Sequence, residues 1–323
     1  MTWCKRSLLV LAATFPLCAA LPVHAQNCEK RILVVGYSPG GTGDIIAQAV
    51  AGPLSRALKQ PVVVEHHPGG SGGVAARWIS QAKPDGCTLL VGQTAEIAVN
   101  PAIVRNLGYD PMKDLRPVAL LATASLALVV PRTASYNSVA DLVSAARKAK
   151  PAFTFSSAGR GTPGYFAGEL FRLRTRTGLA HIAFNGGGEA LDAVLSGRSS
   201  FYFPALPTAL QMAERLRILA VSSGKRSPAA PDIPTLDEAG LAPFDFDLWV
   251  GLFAPRGTPD AEVEQLNRTM NEVLLQSDVK AALLDKGATA APMNSSRFKT
   301  FIAAETNRYA TLIENEFCST CPW

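Results

Sequence analysis

One arrangement near the start of the chain restricts the fold strongly: a short apolar strand, a glycine-rich loop and a helix. Residues Ile32–Val35 are all apolar, which is typical of strands buried inside a parallel sheet. A proline and three glycines between positions 39 and 43 end the strand, and Asp44 stands at the expected start of a helix. The first N–H groups of a helix lack intrahelical partners and carry the positive end of its dipole, so this unit predicts an anion site.

The same arrangement recurs in two arrays. The first array adds strand patterns at 61–66 and 88–92, and the second array has strand patterns at 153–157, 180–184, 201–203 and 217–222. Glycine or proline loops follow the C-terminal ends of these strands, where open α/β sheets bind their ligands. Two such arrays therefore predict a cleft between facing sheet edges. Glycine loops without a ligand are the alternative.

A chain of 323 residues is long enough for two domains. Phe246–Ala254 has the pattern of a returning strand, and amphipathic helix patterns follow it at 260–276, 277–286 and 295–316. We therefore expect a discontinuous domain I, formed by 26–124 and 246–323, and a domain II formed by 125–245. Two crossing strands, at Ser125–Val130 and Phe246–Phe253, would form a hinge.

Residues 1–25 have the composition of a secretory signal peptide. Lys5 and Arg6 precede an apolar stretch, and a small-x-Ala cleavage site ends at Ala25. We therefore expect a periplasmic protein. Removal of these residues takes the net charge from +5 to +5 − 2 = +3, and there is no basic stripe with interleaved aromatic residues, so nucleic-acid binding is not expected.

Four cysteines remain after residue 25, an even number that suits an oxidising compartment: Cys28, Cys87, Cys318 and Cys321. The sequence leaves their pairing open, and one of the two C-terminal cysteines could tie the tail to Cys28. The spacing of a zinc site is absent, and neither a metal nor another cofactor is expected.

Two short motifs suggest other functions. Gly159–Gly164 reads GRGTPG, a literal GxGxxG, which is the fingerprint of a dinucleotide-binding fold. Dinucleotide binding is not favoured here, because Pro163 stiffens the turn and no acidic residue ends the next strand to hold a ribose. Gly69–Gly73 reads GGSGG, the pattern of a nucleophile elbow around Ser71, and His181 is the one later histidine that could act as its base. His181 falls in a predicted strand, which weakens the hydrolase hypothesis.

Uncharged polar side chains stand at the loop tips beside the glycines. Thr94, Ser157, Thr162, Tyr165 and Asn185 can orient a polar ligand through hydrogen bonds. No pair of carboxylates and no pairing of a base with a nucleophile stands out beside them. The sequence therefore predicts binding rather than catalysis.

With these loops in view, the chain resembles the Bug family, the extracytoplasmic solute receptors of tripartite tricarboxylate transporters. The matching blocks are YSPGGTGDIIAQ from Tyr37, QPVVVEHHPGGSGGVAA from Gln60, KPDGCTLLVG from Lys83, NPAI from Asn100, SAGRGTPGYFAGELF from Ser157, ALPTAL from Ala205, RSPAAPDIPTLDEAGL from Arg226 and GLFAPRGTP from Gly251. Their order along essentially the whole mature chain makes the resemblance more specific than any single motif.

The resemblance implies an α/β protein with a type II periplasmic-binding-protein fold, two domains and a two-strand hinge. One ligand carboxylate would be gripped between Ser38–Thr42 and Ser157–Thr162, partly through ordered water, while Thr94 and the Asn185–Gly186 loop would shape the far end. The expected ligand-binding residues are Tyr37, Ser38, Gly40, Gly41, Thr42, Gln93, Thr94, Ser157, Gly159, Gly161, Thr162, Tyr165, Asn185, Gly186 and Leu206. No catalytic residue and no metal ligand is expected.

The chain departs from the family's pattern on the wall opposite this grip. Phe184-Asn185-Gly186 stands where the family often has Tyr-Lys-Gly, and Gly187 and Gly188 stand where Ser or Ala is common. Pro204 replaces a usual Asp, Tyr165 a frequent His, and Cys87 a Tyr. Loss of the Asp argues against a ligand whose amino group needs a carboxylate partner.

The sequence thus predicts a monomeric periplasmic receptor for a small carboxylate: a di- or tricarboxylate, an amino acid or an aromatic acid. Its expected partners are the membrane subunits of a tripartite transporter. A receptor that feeds a membrane sensor would use the same cleft and is the alternative. An exported serine hydrolase using Ser71 is the less favoured one.

Overall fold

A computed structural model describes residues 28–317; the predicted signal peptide, Cys318 and Cys321 lie outside the described residues. The strands are β1 (Arg31–Val35), β2 (Val62–His66), β3 (Thr88–Gln93), β4 (Leu115–Ser125), β5 (Ala127–Pro131), β6 (Thr154–Ser157), β7 (Ala180–Ala183), β8 (Phe201–Tyr202), β9 (Leu216–Val221), β10 (Asp247–Pro255) and β11 (Thr289–Ala290). The α-helices are α1 (Thr42–Leu58), α2 (Gly73–Ser80), α3 (Asn100–Ile103), α4 (Pro111–Asp114), α5 (Val139–Lys148), α6 (Pro163–Thr175), α7 (Gly187–Leu195), α8 (Leu206–Gln211), α9 (Asp260–Leu275), α10 (Ser277–Asp285) and α11 (Ser295–Leu312). A 3₁₀ turn covers Gly70–Gly72, and π-helical turns cover Ala95–Val99, Asp237–Leu241 and Ile313–Phe317.

The strands form two sheets. In the first sheet the order is β11-β4-β10-β3-β1-β2, and β1 runs parallel to both β2 and β3. In the second sheet the order is β7-β6-β8-β5-β9, and β6 runs parallel to both β7 and β8. Strands β10 and β5 are antiparallel to their neighbours, so each sheet mixes a parallel βα part with strands that bring the chain from one sheet to the other.

Local sequence explains how these elements begin. The apolar strands predicted from periodicity are buried, with Leu33, Val34 and Val35 of β1 fully inaccessible to solvent. Helix α5 begins as predicted after Ser138, whose Oγ accepts the N–H of Asp141 at 3.1 Å, while Asp141 Oδ2 accepts the N–H of Asn137 at 3.1 Å. This reciprocal bonding satisfies donors that the first turn leaves unpaired.

The chain crosses between the sheets at two adjacent places, and Ser222 joins them. Leu126 alone separates β4 from β5. The N–H of Leu126 donates to Ser222 Oγ at 2.8 Å, and Ser222 N–H donates to the carbonyl of Leu126 at 2.9 Å. On its other side, the Ser222 hydroxyl donates to the carbonyl of Phe246, at the entry to β10. The crossing segments predicted at Ser125–Val130 and Phe246–Phe253 therefore lie side by side.

A disulfide fixes the beginning of the first sheet. Cys28, just before β1, is bonded to Cys87, just before β3, and the bond closes a loop across 59 residues. Cys28 is therefore not free to tie the C-terminal tail, as the sequence had allowed. The adjacent parallel strands β1 and β3 bring the two cysteines together, an arrangement that spacing alone does not reveal.

A series of aromatic rings links the second sheet to the C-terminal helix. Ring centroids lie 6.1 Å apart between Phe201 and Phe203, 5.9 Å between Phe203 and Phe244, and 6.4 Å between Phe246 and Tyr309 of α11. The hydrophobic core is thus continuous across the crossing segments. No helix in the described part of the chain combines the length and apolar composition needed to cross a bilayer.

Candidate functional site

A cavity lies between the C-terminal edges of the two parallel arrays. The lining residues are Tyr37, Ser38, Gly41, Thr42, Gln93, Ala95, Leu126, Ala158, Thr162, Pro163, Gly164, Gly187, Gly188, Tyr202, Phe203, Pro204, Ala205, Thr208 and Leu248. Within this lining, drawn from residues 28–317, there is no carboxylate, ammonium, guanidinium or imidazole group. The cavity therefore offers a ligand hydrogen bonds and helix dipoles rather than side-chain charges.

The loop between β1 and α1 leaves the N-terminus of α1 open. Gly41 is the N-cap residue, and no side chain caps the first turn of this 17-residue helix. Asp44 binds the loop instead, because its Oδ2 accepts the N–H of Gly40 at 2.8 Å and its Oδ1 lies 2.9 Å from Nε2 of His66. Burial opposes ionisation of Asp44, but these hydrogen bonds outweigh it and hold its pKa below the usual range.

Helix α6 is open at its start in a similar way. The Thr162 hydroxyl donates to the carbonyl of Gly159 at 2.8 Å and makes no capping bond to the helix. Ser157 is fully buried; its Oγ accepts the N–H of Gly159 at 3.2 Å and lies 2.7 Å from Nε2 of His181. Burial, with the nearby charge of Arg160, lowers the pKa of His181 to about 4, so its ring is neutral near pH 7. Ser157 thus holds the loop in place from beneath.

The loops of the two sheets meet across the cavity. Thr42 Oγ1 of α1 lies 3.2 Å from Thr208 Oγ1 of α8. A Cβ built on Gly186, the N-cap of α7, would lie 3.8 Å from Ser38 Oγ. The cavity therefore has walls from both sheets in this arrangement of the chain.

The expected ligand-binding residues divide into two groups. Those that line the cavity are Tyr37, Ser38, Gly41, Thr42, Gln93 and Thr162. Those that lie outside the lining are Gly40, Thr94, Ser157, Gly159, Gly161, Tyr165, Asn185, Gly186 and Leu206. Each member of the second group lies within two positions of a lining residue in the chain.

Three residues of the second group show why the structure places them away from the lining. The Thr94 side chain is fully buried, and its Oγ1 accepts the N–H of Trp249 at 2.9 Å. Leu206 is fully buried in the smaller hydrophobic cluster beside the second sheet. The ring of Tyr165 packs 4.7 Å from that of His181.

Sequence reasoning missed a buried carboxyl group directly behind the lining. Glu96 is inaccessible to solvent; its Oε1 accepts the N–H of Gln93 at 2.7 Å, and its Oε2 accepts the hydroxyl of Tyr37 at 3.2 Å. Burial raises the pKa of Glu96 to about 8. Its spacing of three residues from Gln93, at a predicted helix start, is a capping pattern that could have indicated the contact.

Three of the departures from the family's pattern lie in the cavity lining, and the others lie outside it. Pro204, Gly187 and Gly188 all line the cavity, next to Tyr202 and Phe203. None of these residues was expected as a ligand-binding residue from the sequence. Only the packing of β8 between β5 and β6 brings its C-terminal end to the cavity.

The serine of the GxSxG pattern and the later histidine do not pair. Ser71 lies in the 3₁₀ turn before α2 with φ +49°, while His181 Nε2 is bonded to Ser157. The other ring nitrogen of His181 is buried with no hydrogen-bond partner among the described residues. That part of the chain also contains no group of three His, Cys, Asp or Glu residues that could hold a metal ion.

Comparison with known proteins identifies the family. Residues 46–317 match the family model described as "Tripartite tricarboxylate transporter family receptor". The chain belongs to this receptor family. It is 33% identical over 308 residues to the "UPF0065 protein in tcbD-tcbE intergenic region" of Pseudomonas sp. (strain P51), covering 94% of this chain and 91% of that one. It is also 30% identical over 300 residues to "Protein BugT" of Bordetella pertussis, covering 91% and 92%. The predicted membership of the Bug family is confirmed.

Similar structures confirm the predicted fold class of this receptor. "R. palustris Rpa4515 with adipate" has a TM-score of 0.85 at 30% identity, covering 88% of this chain and 96% of that one. "MatC (Rpa3494) from Rhodopseudomonas palustris with bound malate" has a TM-score of 0.82 at 29% identity, covering 88% and 98%. "Structure of periplasmic binding protein BugD" has a TM-score of 0.83 at 24% identity, covering 89% and 97%, and supports the fold alone. The family is one of periplasmic solute-binding receptors.

Proposed function

We propose that this receptor captures a small carboxylate in the cavity and delivers it to the membrane subunits of a tripartite transporter. The supporting observation is that α1 and α6, both without a side-chain cap, begin at one cavity whose lining has no charged side chain. Free N–H groups and positive helix ends favour an anion, and no acidic side chain of the lining repels it. The adipate and malate bound to the two similar receptors support the same class of ligand.

The residues proposed to hold the carboxylate come from both sheets. On the α1 side they are Ser38, Gly41 and Thr42, and on the α6 side they are Thr162 and Gly164. Pro163 has no N–H group, so the first donor after Thr162 in α6 is Gly164. The other expected residues, among them Ser157 and Gly159, would act by holding these loops in shape.

Carboxylates should raise the melting temperature of the purified protein, because a ligand that binds only the folded state stabilises it by mass action. At a ligand concentration 100 times Kd the gain is about 2.7 kcal/mol. Differential scanning fluorimetry with succinate, adipate, malate and benzoate would measure it, with the uncharged diamides of succinate and adipate as matched controls. Stabilisation by the diamides as strong as by the acids would contradict recognition of a carboxylate.

We propose further that the receptor binds its solute without converting it. Among residues 28–317 no histidine is hydrogen-bonded to Ser71, and His181 Nε2 is bonded to Ser157 instead. A fluorophosphonate serine probe should therefore fail to label the native protein. Labelling that is lost in Ser71→Ala would overturn this part of the proposal.

Several features of the proposed receptor rest on the sequence. We propose periplasmic export through the signal peptide 1–25, with domain I formed by 26–124 and 246–323 and domain II by 125–245. The division agrees with the sheets, because the strands of the second sheet all fall between Ala127 and Val221. N-terminal sequencing of protein from a periplasmic extract should begin at Gln26.

A further inference from the structure

Tyr202 carries a hydroxyl group that the protein itself does not use. The residue lines the cavity and is 5% exposed, and its hydroxyl makes no hydrogen bond to any of residues 28–317. Burial raises its pKa, so the group stays a neutral donor. A donor that has no protein partner and opens into a cavity is available to a bound molecule, so an acceptor of the ligand is expected where the hydroxyl points.

The Tyr202 hydroxyl points to the start of α7. A Cβ built on Gly187 would lie 3.6 Å from this hydroxyl, whereas one built on Gly164, in α6, would lie 3.4 Å from the ring atom Cε2. The ring thus separates the first turn of α6 from the first turn of α7. Among residues 28–317 outside α7, the hydroxyl is the only atom within 4 Å of the Cβ position at Gly187, so we assign it to the α7 side.

The start of α7 is also free of side chains. Gly186 is the N-cap residue without a capping bond, and Gly187 and Gly188 open this nine-residue helix. A Cβ on Gly188 would meet no atom within 4 Å, so the space beside this turn is empty. The acidic residue of the turn, Glu189, is outside the lining, and its Oε2 accepts the N–H of Asn185 at 3.4 Å.

We propose that the Tyr202 hydroxyl and the N-terminus of α7 form a second subsite for a hydrogen-bond acceptor, and that the solute is a dicarboxylate. The inference rests on the proposed function, because the first carboxylate occupies the α1 and α6 ends. The hydroxyl and the free N–H groups of α7 supply donors to a second carboxylate. An ammonium group at this position would meet donors and a positive helix end, so the subsite disfavours amino acids.

Matched pairs of acids test the subsite. Isothermal titration calorimetry would compare succinate with butyrate and adipate with hexanoate, since each pair differs by one carboxylate at equal chain length. For at least one pair, the diacid should bind on the order of tenfold more tightly than the monoacid. Tyr202→Phe should remove on the order of tenfold of the diacid affinity and leave the monoacid affinity unchanged.

Two further variants separate recognition from folding. Gly187→Ala places a methyl group beside the Tyr202 hydroxyl and should also weaken the diacid selectively. Tyr136→Phe removes the hydroxyl of a half-buried residue outside the cavity lining and should leave both affinities unchanged. Because Tyr202 makes no hydrogen bond inside the protein, Tyr202→Phe should not lower the melting temperature without ligand.

The outcomes distinguish the second subsite from the proposed carboxylate receptor on which it rests. Monoacids that bind as tightly as diacids, or equal losses for both acids in Tyr202→Phe, would overturn the second subsite and leave the carboxylate receptor in place. Absence of binding by every acid would overturn the proposed function, and the subsite with it.

Discussion

Two buried polar side chains beside the cavity are held in position by hydrogen bonds. Ser157 and Glu96 are both inaccessible to solvent, and each is bonded to a backbone N–H and to a second side chain. A buried polar group without such partners is costly, so these contacts fix the rotamers of both residues. Through them the loop at Gly159 and the side chain of Tyr37 are held at the edge of the cavity.

The stability of the protein should depend on pH through Glu96. The pKa of its carboxyl group is about 8 in the folded protein against an ordinary value of 4.5, so between these values the folded state holds a proton that the unfolded chain has released. Stability contributed by this proton is complete below pH 4.5 and is lost as the pH rises through 8. Glu96→Gln should therefore lose less stability than the wild type between pH 5 and pH 9.

Melting temperatures measured by circular dichroism across that range would check this difference. Glu264→Gln, at an exposed position of α9, is the control and should retain the pH profile of the wild type. The glutamine at position 96 can still accept the N–H of Gln93, so the variant should fold. Identical profiles for Glu96→Gln and the wild type would show that another group is responsible.

Among the structural elements, the two crossing segments are joined by Ser222, through its hydroxyl group and its backbone. Ser222 is fully buried and connects the segment at Leu126 to the segment at Phe246. This junction lies at the end of the β4–β10 ladder, where Asp247 pairs with Ser125. Ser222 thus adds a buried side-chain link between the segments where this strand pairing stops.

Ser222→Ala should destabilise the protein by roughly 1–3 kcal/mol, because it leaves the buried N–H of Leu126 without its acceptor. Urea denaturation followed by tryptophan fluorescence would measure the loss. Ser144→Ala, at an exposed position of α5, removes a hydroxyl of equal size and should change stability by less than about 0.5 kcal/mol. Equal effects of the two substitutions would contradict a connecting role for Ser222.

At the scale of the whole molecule, small residues allow the two sheets to approach. A Cβ on Gly161 would lie 2.7 Å from Cδ1 of Ile103 and 2.9 Å from Oδ1 of Asn100. Gly159 faces Ser71 in the same manner, with a Cβ position 2.6 Å from its Oγ. Both glycines lie in the loop before α6. Ser71 lies in the turn before α2, and Asn100 and Ile103 lie in α3. The close approach of the two sheet edges therefore depends on the absence of side chains at Gly159 and Gly161.

Gly161→Val should hold the two edges apart and weaken binding of a stabilising carboxylate by roughly 1–3 kcal/mol, because the added methyl groups overlap the opposite edge. Titration calorimetry would give the affinity, and small-angle X-ray scattering should show a smaller decrease in radius of gyration on ligand addition than in the wild type. Gly178→Val adds the same side chain where a Cβ meets no atom within 4 Å, and it should bind normally. Wild-type affinity in Gly161→Val would show that this contact is not needed for the bound state.

Much of the architecture was predictable because its signals are local. Apolar runs such as Ile32–Val35 set the strands, glycine loops set their ends, and residues such as Ser138 start helices through neighbours three positions away. The same local signals indicated the loop at Ser38–Thr42 and the one ending at Thr162, and residues of both line the cavity. The order of the matching sequence blocks along the chain was also sufficient to predict the family.

The sequence by itself determined the βα units, the crossing strands and the glycine loops that border the cavity, because each depends on residues close together in the chain. Only the tertiary structure decided that Cys28 pairs with Cys87, that Glu96 lies behind Tyr37, and that Tyr202 faces α7. These contacts depend on which strands become neighbours and which loops meet across the cavity. That outcome is fixed by the packing of the whole core, which no local pattern contains.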